Sequence, residues 1–327
     1  MTQVRIYLAD PMLRSEQLAA IRRQLPEGWL LTSEPEGAAA ILTENVSVTA
    51  AMVDAAGPSL RLVARLDTGS AELPDDLSVP AVDLPNTALV GVAEHTILLM
   101  MVLSRHLLDV IARTGTQAWM PERSTPILTD QKKYTYNWIG LHDFGVLYRK
   151  TLGIVGLGLI GRAVAVRARA FGMRVLYTQR RRHDPALEAS LGVTYCPLNE
   201  LLGASDFVSL HHRFDDSPGG NDRHFGAAEF AAMKPSAYFI NTARGRLVDE
   251  DALVAALQSG EIAGAALDVF RYEPLPPDHP FFALAGDRLI LTPHVAGAPI
   301  AEAWQTIAEE LVERVQAALT PNNHQQA

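Results

Sequence analysis

The tightest constraint on this chain lies at residues 152–161, LGIVGLGLIG, where an apolar run ends in Gly156, Gly158 and Gly161 and a helical pattern begins. Such a run followed by a helix is the setting in which a GxGxxG pattern carries meaning, because each glycine then has a steric task. Gly156 permits a tight turn, Gly158 lets backbone approach a pyrophosphate, and Gly161 lets helix and strand pack closely. The helix start offers N–H groups without intrahelical partners, which favour an anion. The segment therefore predicts the strand, turn and helix of a dinucleotide-binding βαβ unit.

Which dinucleotide depends on the end of the next strand, where a carboxylate accepts from the ribose 2′-hydroxyl in proteins that prefer NAD. Here the strand MRVLY runs into Thr178, Gln179, Arg180, Arg181 and Arg182, and Asp184 comes too late to take that place. Nothing repels a 2′-phosphate, and guanidinium groups are at hand to bind it bidentately. NADP is the expected cofactor, with NAD possible, and Gln179 and Arg180 are its expected contacts.

Repeated βα alternation surrounds this unit. The first hundred residues alternate β-like runs at 5–8, 39–42 and 60–66 with helical segments such as 16–25. After the glycine turn come a helix over 159–171 and further β-like runs, MRVLY, FVSL, AYFIN, AALDV and LILT. A last amphipathic helix is predicted near 300–319, ahead of the polar tail PNNHQQA. With 327 residues and 48% hydrophobic content the chain can bury two cores. Residues 121–150, with Pro, Thr, Tyr and Trp and no sustained period, break the rhythm and are expected to form a projecting arm.

A formal net charge of −9 provides no positive field for nucleic acid or an anionic membrane. Cys196, the single cysteine, excludes an internal disulfide and a thiolate metal site, and fits a reducing compartment. The opening MTQVRIYLAD lacks the marks of a signal peptide, and the apolar stretch 88–103 is interrupted by Glu94 and His95 and falls short of a membrane span. A cytoplasmic protein is expected. The adjacent His211 and His212 have neither an HExxH helix nor a carboxylate cluster beside them, so no metal is expected.

Further motifs follow the glycine turn: NTARGRLVDEDAL at 241–253, GAALDVF at 264–270, YEP at 272–274 and TPHVAG at 292–297, with NTALVGVAEHT at 86–96 before it. In order and wording they resemble the D-isomer-specific 2-hydroxyacid dehydrogenases, and within them the glyoxylate/hydroxypyruvate reductase-like branch. The resemblance implies an α/β protein of two doubly wound parallel-sheet domains. A Rossmann-type cofactor domain, 103–297, would be inserted into a smaller flavodoxin-like substrate domain, 1–102 with 298–327, and catalysis would lie in the cleft between them. It also implies a homodimer, a small 2-keto or 2-hydroxy acid as substrate, and hydride transfer to or from NADP(H), with glyoxylate or hydroxypyruvate the expected acid.

Carried over by motif, the resemblance makes Arg244 the substrate-binding arginine, Glu273 the acid partner and His294 the catalytic histidine. Leu159 and Ile160 would touch the pyrophosphate, and Thr242, Ala243 and Asp268 the nicotinamide half. The chemistry suits these residue types. Reduction of a 2-keto acid makes an alkoxide, so an imidazolium must supply a proton. A carboxylate on the other ring nitrogen favours that imidazolium. A guanidinium can grip the substrate carboxylate with two parallel hydrogen bonds and polarise the neighbouring carbonyl.

Two departures qualify the resemblance. The substrate-carboxylate loop of the first domain reads Arg65, Leu66, Asp67, Thr68, Gly69 in place of a GxG turn. Either Asp67 faces away, or the backbone of Thr68 and Gly69 binds the carboxylate, or the substrate is unusual. The DTGS tetrapeptide at 67–70 also matches an aspartic-protease signature, but no second DTG or DSG supplies the partner carboxylate. His211, His212 and Arg213 stand where the family often has His-x-Pro, ahead of a longer glycine-rich loop. A dinucleotide-sensing, corepressor-like interaction protein is the alternative reading.

Overall fold

A computed structural model describes residues 3–10, 15–43, 46–66, 72–84, 87–116, 126–142, 144–286, 288–297 and 301–320. Asp67, Thr68 and Gly69, parts of the expected arm (121–125 and 143) and the tail after 320 lie outside the described residues. The chain divides into two compact units, 1–90 with 298–327, and 91–297.

In the first unit β1 (Val4–Leu8), β2 (Trp29–Thr32), β3 (Ala40–Thr43), β4 (Leu62–Leu66) and β5 (Ala81–Leu84) form a parallel sheet in the order β2-β1-β3-β4-β5. That is the flavodoxin-like order. Alternation along the strands sorts its two cores. Ile6, Leu42, Leu62 and Ala64 pack with α1 (Ser15–Gln24) and α10 (Ala301–Leu319), while Ile41 and Val63 pack with α2 (Ala50–Ala56).

The second unit is built on seven parallel strands: β6 (Thr151–Val155), β7 (Arg174–Thr178), β8 (Val193–Tyr195), β9 (Phe207–Leu210), β10 (Tyr238–Asn241), β11 (Gly264–Leu267) and β12 (Leu289–Leu291). Their order, β12-β11-β10-β9-β6-β7-β8, reverses between β6 and β9, which pair from Leu152 with Phe207 to Val155 with Leu210. This is the Rossmann winding with one added strand, and ligands of such sheets bind outside the carboxyl ends of the strands at that reversal. Both faces are covered, so the strands read as nearly unbroken apolar runs. Leu152, Ile154, Val175 and Tyr177 face α3 (Thr87–Ser104) and α5 (Leu159–Ala170). Val155, Leu176, Val208 and Phe239 face α7 (Leu198–Ala204), α8 (Ala227–Ala232) and α9 (Glu250–Ser259).

The first boundary of the second unit falls at 90/91, earlier than the expected 102/103. The reason is packing: Ala93, Ile97, Met100 and Leu103 of α3 share a core with Leu152 and Ile154, so most of that helix belongs to the seven-stranded sheet. The described part of the arm, 126–142 and 144–150, contains neither helix nor strand. Among the described residues no single helix is long and apolar enough to cross a membrane.

Candidate active site

The glycine turn sits at the reversal point of the seven-stranded sheet. Gly156 leaves β6 at φ +98°, and a Cβ there would lie 2.7 Å from the backbone nitrogen of His212, so only glycine fits. Around a Cβ at Gly158 there is open space, and this residue caps α5 without any side-chain hydrogen bond. Leu159, in the first turn, is 45% exposed. An open cradle at an uncapped helix start fits the pyrophosphate of a dinucleotide.

The end of β7 braces this turn. The Leu157 N–H donates to Oε1 of Gln179 at 3.1 Å, and the Leu157 carbonyl accepts from Nε2 of His183 at 2.9 Å and Nε of Arg162 at 3.3 Å. The carbonyl can only accept, so Nε2 is the ring nitrogen of His183 that carries hydrogen. The arginine run separates into roles. Arg182 makes a two-point contact with Glu188 at 2.8 and 2.7 Å, and Tyr177 donates to the same carboxylate at 2.7 Å. Those hydrogen bonds, Arg182 first, pull the Glu188 carboxyl down to about 2. Arg180 and Arg181 are exposed, and their guanidinium groups make no hydrogen bond or ion pair among the described residues.

Beyond β9, His211 pairs with the Ser209 hydroxyl at 2.8 Å, and burial pushes it down to about 3. His212 donates from Nδ1 to the Val155 carbonyl at 3.2 Å, and its ring lies edge-on to His224 at 4.6 Å. Burial, with His224 beside it, pushes His212 down to about 4. Both are neutral imidazoles near pH 7. Among the described residues no three His, Cys, Asp or Glu side chains gather as a metal site.

The three expected catalytic residues rise from the ends of β10, β11 and β12. After β10, the Asn241 side chain accepts from the Ala243 N–H at 3.0 Å and donates to the Arg244 carbonyl at 2.9 Å, shaping the turn that carries Arg244. Gly245 follows because a Cβ there would collide with the backbone of Phe270 and Arg271. Thr242 is buried, 3.0 Å from Thr96. Thr96 spends its hydrogen on the Val92 carbonyl at 2.8 Å, so Thr242 is the donor between them.

His294 Nδ1 lies 2.6 Å from Glu273 Oε2, and the other Glu273 oxygen accepts from the Phe270 N–H at 3.0 Å. A carboxylate only accepts, so Nδ1 carries the hydrogen, and Nε2 has no protein partner among the described residues. His294 adopts φ +55°, a left-handed conformation that costs a non-glycine residue energy and persists only where its surroundings impose it. Asp268 imposes it. Fully buried at the end of β11, it accepts from the Thr292 hydroxyl at 2.6 Å and from the N–H groups of Val295 and Ala296 at 3.0 and 2.8 Å. His95 completes the cluster, donating to the Thr292 hydroxyl at 3.1 Å. A cavity of about 580 Å³ opens beside the couple, lined by Phe270, Glu273, Leu275, Phe282, Leu291 and His294.

Of the predicted residues, Gly156, Gly158, Leu159, Ile160 and Gly161 form one turn, with Gln179 joined to it. Glu273 and His294 are bonded, and Ala243 and Arg244 share the β10 turn. Asp268, expected at the cofactor, has both oxygens hydrogen-bonded to the loop carrying His294. His183, Arg162, Asn241, His95 and Thr96 escaped the sequence reading. The one signal available for the last two was the 86–96 motif, which offers no hint of a partner two hundred residues away.

A sequence profile described as the D-isomer specific 2-hydroxyacid dehydrogenase NAD binding domain matches residues 97–296. Glyoxylate/hydroxypyruvate reductase B of Citrobacter koseri is 41% identical over 224 residues, 68% of this chain and 62% of that protein. Its namesake in Shigella boydii is 37% identical over 271 residues, 81% of this chain and 76% of that protein. Among solved structures, a glyoxylate reductase of Paecilomyes thermophila superposes with a TM-score of 0.64 at 25% identity, covering 97% of this chain and 96% of that one.

Proposed function

The chain belongs to the D-isomer specific 2-hydroxyacid dehydrogenase family of nicotinamide-dependent oxidoreductases, and from that premise we propose that it reduces glyoxylate or hydroxypyruvate with NADPH. The observation that carries the reading is the His294–Glu273 couple at 2.6 Å. With Nδ1–H held by the carboxylate, Nε2 is left to give a proton to the substrate's carbonyl oxygen. Arg244 grips the substrate carboxylate with paired hydrogen bonds and draws charge toward the developing alkoxide. A nicotinamide dinucleotide held by this unit would supply the hydride that a 2-keto carbon needs. Thr242, Ala243 and the 156–161 turn hold the dinucleotide, and the 91–297 unit is its domain.

NADPH is favoured by the exposed Arg180 and Arg181, whose guanidinium groups make no hydrogen bond or ion pair among the described residues, at a strand end that carries no ribose-binding carboxylate. The names of the relatives support the substrate. A single free thiol, Cys196, suits a reducing cytoplasm, and the exposed Leu107, Leu108 and Ile111 of the second unit support a homodimer.

Spectrophotometric oxidation of NADPH with glyoxylate, hydroxypyruvate, pyruvate and longer 2-keto acids tests the reading. Turnover is expected with the first two, and His294→Asn is expected to lower kcat by roughly 10²–10⁴-fold. NADPH binding without oxidation of any acid would restore the sensing alternative, and an unimpaired His294→Asn variant would remove the proton donor.

A further inference from the structure

Leu157 stands between Gly156 and Gly158, the two residues least able to hold a backbone in one conformation. Its side chain is buried, yet that leaves the flanking peptide planes free to rotate. They do not, because the segment that follows β7 seizes both. Gln179 accepts from the Leu157 N–H at 3.1 Å, fixing the peptide between 156 and 157. His183 donates to the Leu157 carbonyl at 2.9 Å, with Arg162 behind it at 3.3 Å, fixing the peptide between 157 and 158. In a trans peptide the N–H points opposite its C=O, so pinning that carbonyl also aims the Gly158 N–H.

His183 is itself held firmly. Its backbone N–H donates to the Tyr177 hydroxyl at 3.0 Å, and that hydroxyl donates to Glu188 at 2.7 Å. Glu188 is gripped by Arg182 and lies on α6 (Pro185–Leu191), whose start is capped by Asp184. Tyr177 is completely buried, so the strand end, the imidazole and the helix form one braced unit.

We infer that His183 is a positioning residue for the pyrophosphate turn: with Gln179 it locks the Leu157 peptides, so the loop that carries Arg180 also preorganises the cradle for the diphosphate. This rests on the reading that the turn binds a nicotinamide dinucleotide. The two tasks of the loop are separable. Arg180 reads the 2′ position and sets which coenzyme is preferred. His183 and Gln179 act on the part common to both coenzymes, because a turn already fixed in its binding form loses less entropy when the ligand arrives.

Direct titration by coenzyme fluorescence, without turnover, separates them in the full-length protein. His183→Phe keeps an aromatic ring but removes the donor, and is expected to raise the Kd for NADPH and NADH alike by about three- to tenfold, leaving their ratio unchanged. His183→Gln, whose amide can donate, recovers most of the affinity. In steady-state assays the loss falls on the KM for coenzyme and spares kcat. Arg180→Asp does the reverse in titration, shifting the ratio toward NADH. Gln179→Met leaves the histidine intact and reproduces the uniform loss, which keeps the test open if His183→Phe fails to fold. Unchanged Kd values in His183→Phe or Gln179→Met, or a His183→Gln variant as weak as His183→Phe, would overturn the clamp. A wild-type protein that binds neither coenzyme would overturn the dinucleotide reading and the clamp with it.

Discussion

Asp268 lies fully buried behind the loop that carries His294. Its carboxylate receives three hydrogen bonds from Thr292, Val295 and Ala296, which bracket His294 and hold it at positive φ. Asparagine has the same shape but turns one acceptor into a donor, which must then face a backbone N–H. Asp268→Asn is expected to cost about 2–3 kcal/mol of stability, since hydrogen bonds to a charged group are worth that much. It is also expected to lower kcat by on the order of a hundredfold, as a slightly displaced proton donor does. The Kd for coenzyme discriminates this role from the cofactor contact expected from sequence. A Kd that stays near the wild-type value supports positioning, and a Kd that rises in step with the loss of kcat restores the contact.

The elements were legible where chemistry is concentrated in consecutive residues. Glycines after an apolar run predicted β6, the turn and α5, and the central strands read as apolar runs because helices cover both their faces. The strands that escaped are β2, β5 and β8, each at a sheet edge. An edge strand pairs on one side only, so WLLT, AVDL and VTY are short and partly exposed and leave little periodic signal. The brace at the end of β7 was illegible for another reason: a run of three arginines reads as one charged patch, whereas the fold sends Arg182 to Glu188 and leaves Arg180 and Arg181 outward. That pairing gives the β7–α6 connection a pH signature. The Glu188 carboxyl falls from its ordinary 4.5 to about 2 in the folded protein. Its contribution is therefore fully present above about pH 4.5 and is lost as pH falls through about 2. The difference in urea midpoint between wild type and Glu188→Gln should hold steady from pH 7 to 4.5 and close below that. A difference that does not narrow toward pH 2 would mean that the charge is not what stabilises the connection.

At the scale of the whole molecule, motifs order the chain but do not say which surfaces stay bare. The α3 helix shows the difficulty, because an almost wholly apolar helix can join either unit, and only its packing against Leu152 and Ile154 assigns it. The following helix, α4 (Leu107–Gly115), raises the opposite question. It is strongly amphipathic, yet none of its residues is buried, and Leu107, Leu108 and Ile111 are all exposed. In the same unit Leu128, Tyr134 and Tyr136 of the arm also face outward. A monomer in water rarely leaves an amphipathic helix uncovered on its apolar side beside further exposed aromatics, because each buried side chain of that size is worth about 1.5–3 kcal/mol. A second copy of the chain, meeting the same surface, removes that exposure symmetrically. Light scattering in solution should therefore give twice the chain mass of 35.5 kDa. The paired change Leu108→Asp and Ile111→Asp, which places charge where apolar contact is needed, should shift the mass to one chain while NADPH binding by the glycine turn persists. A wild-type protein that scatters as a single chain at all concentrations would leave the bare face of α4 without its proposed cover.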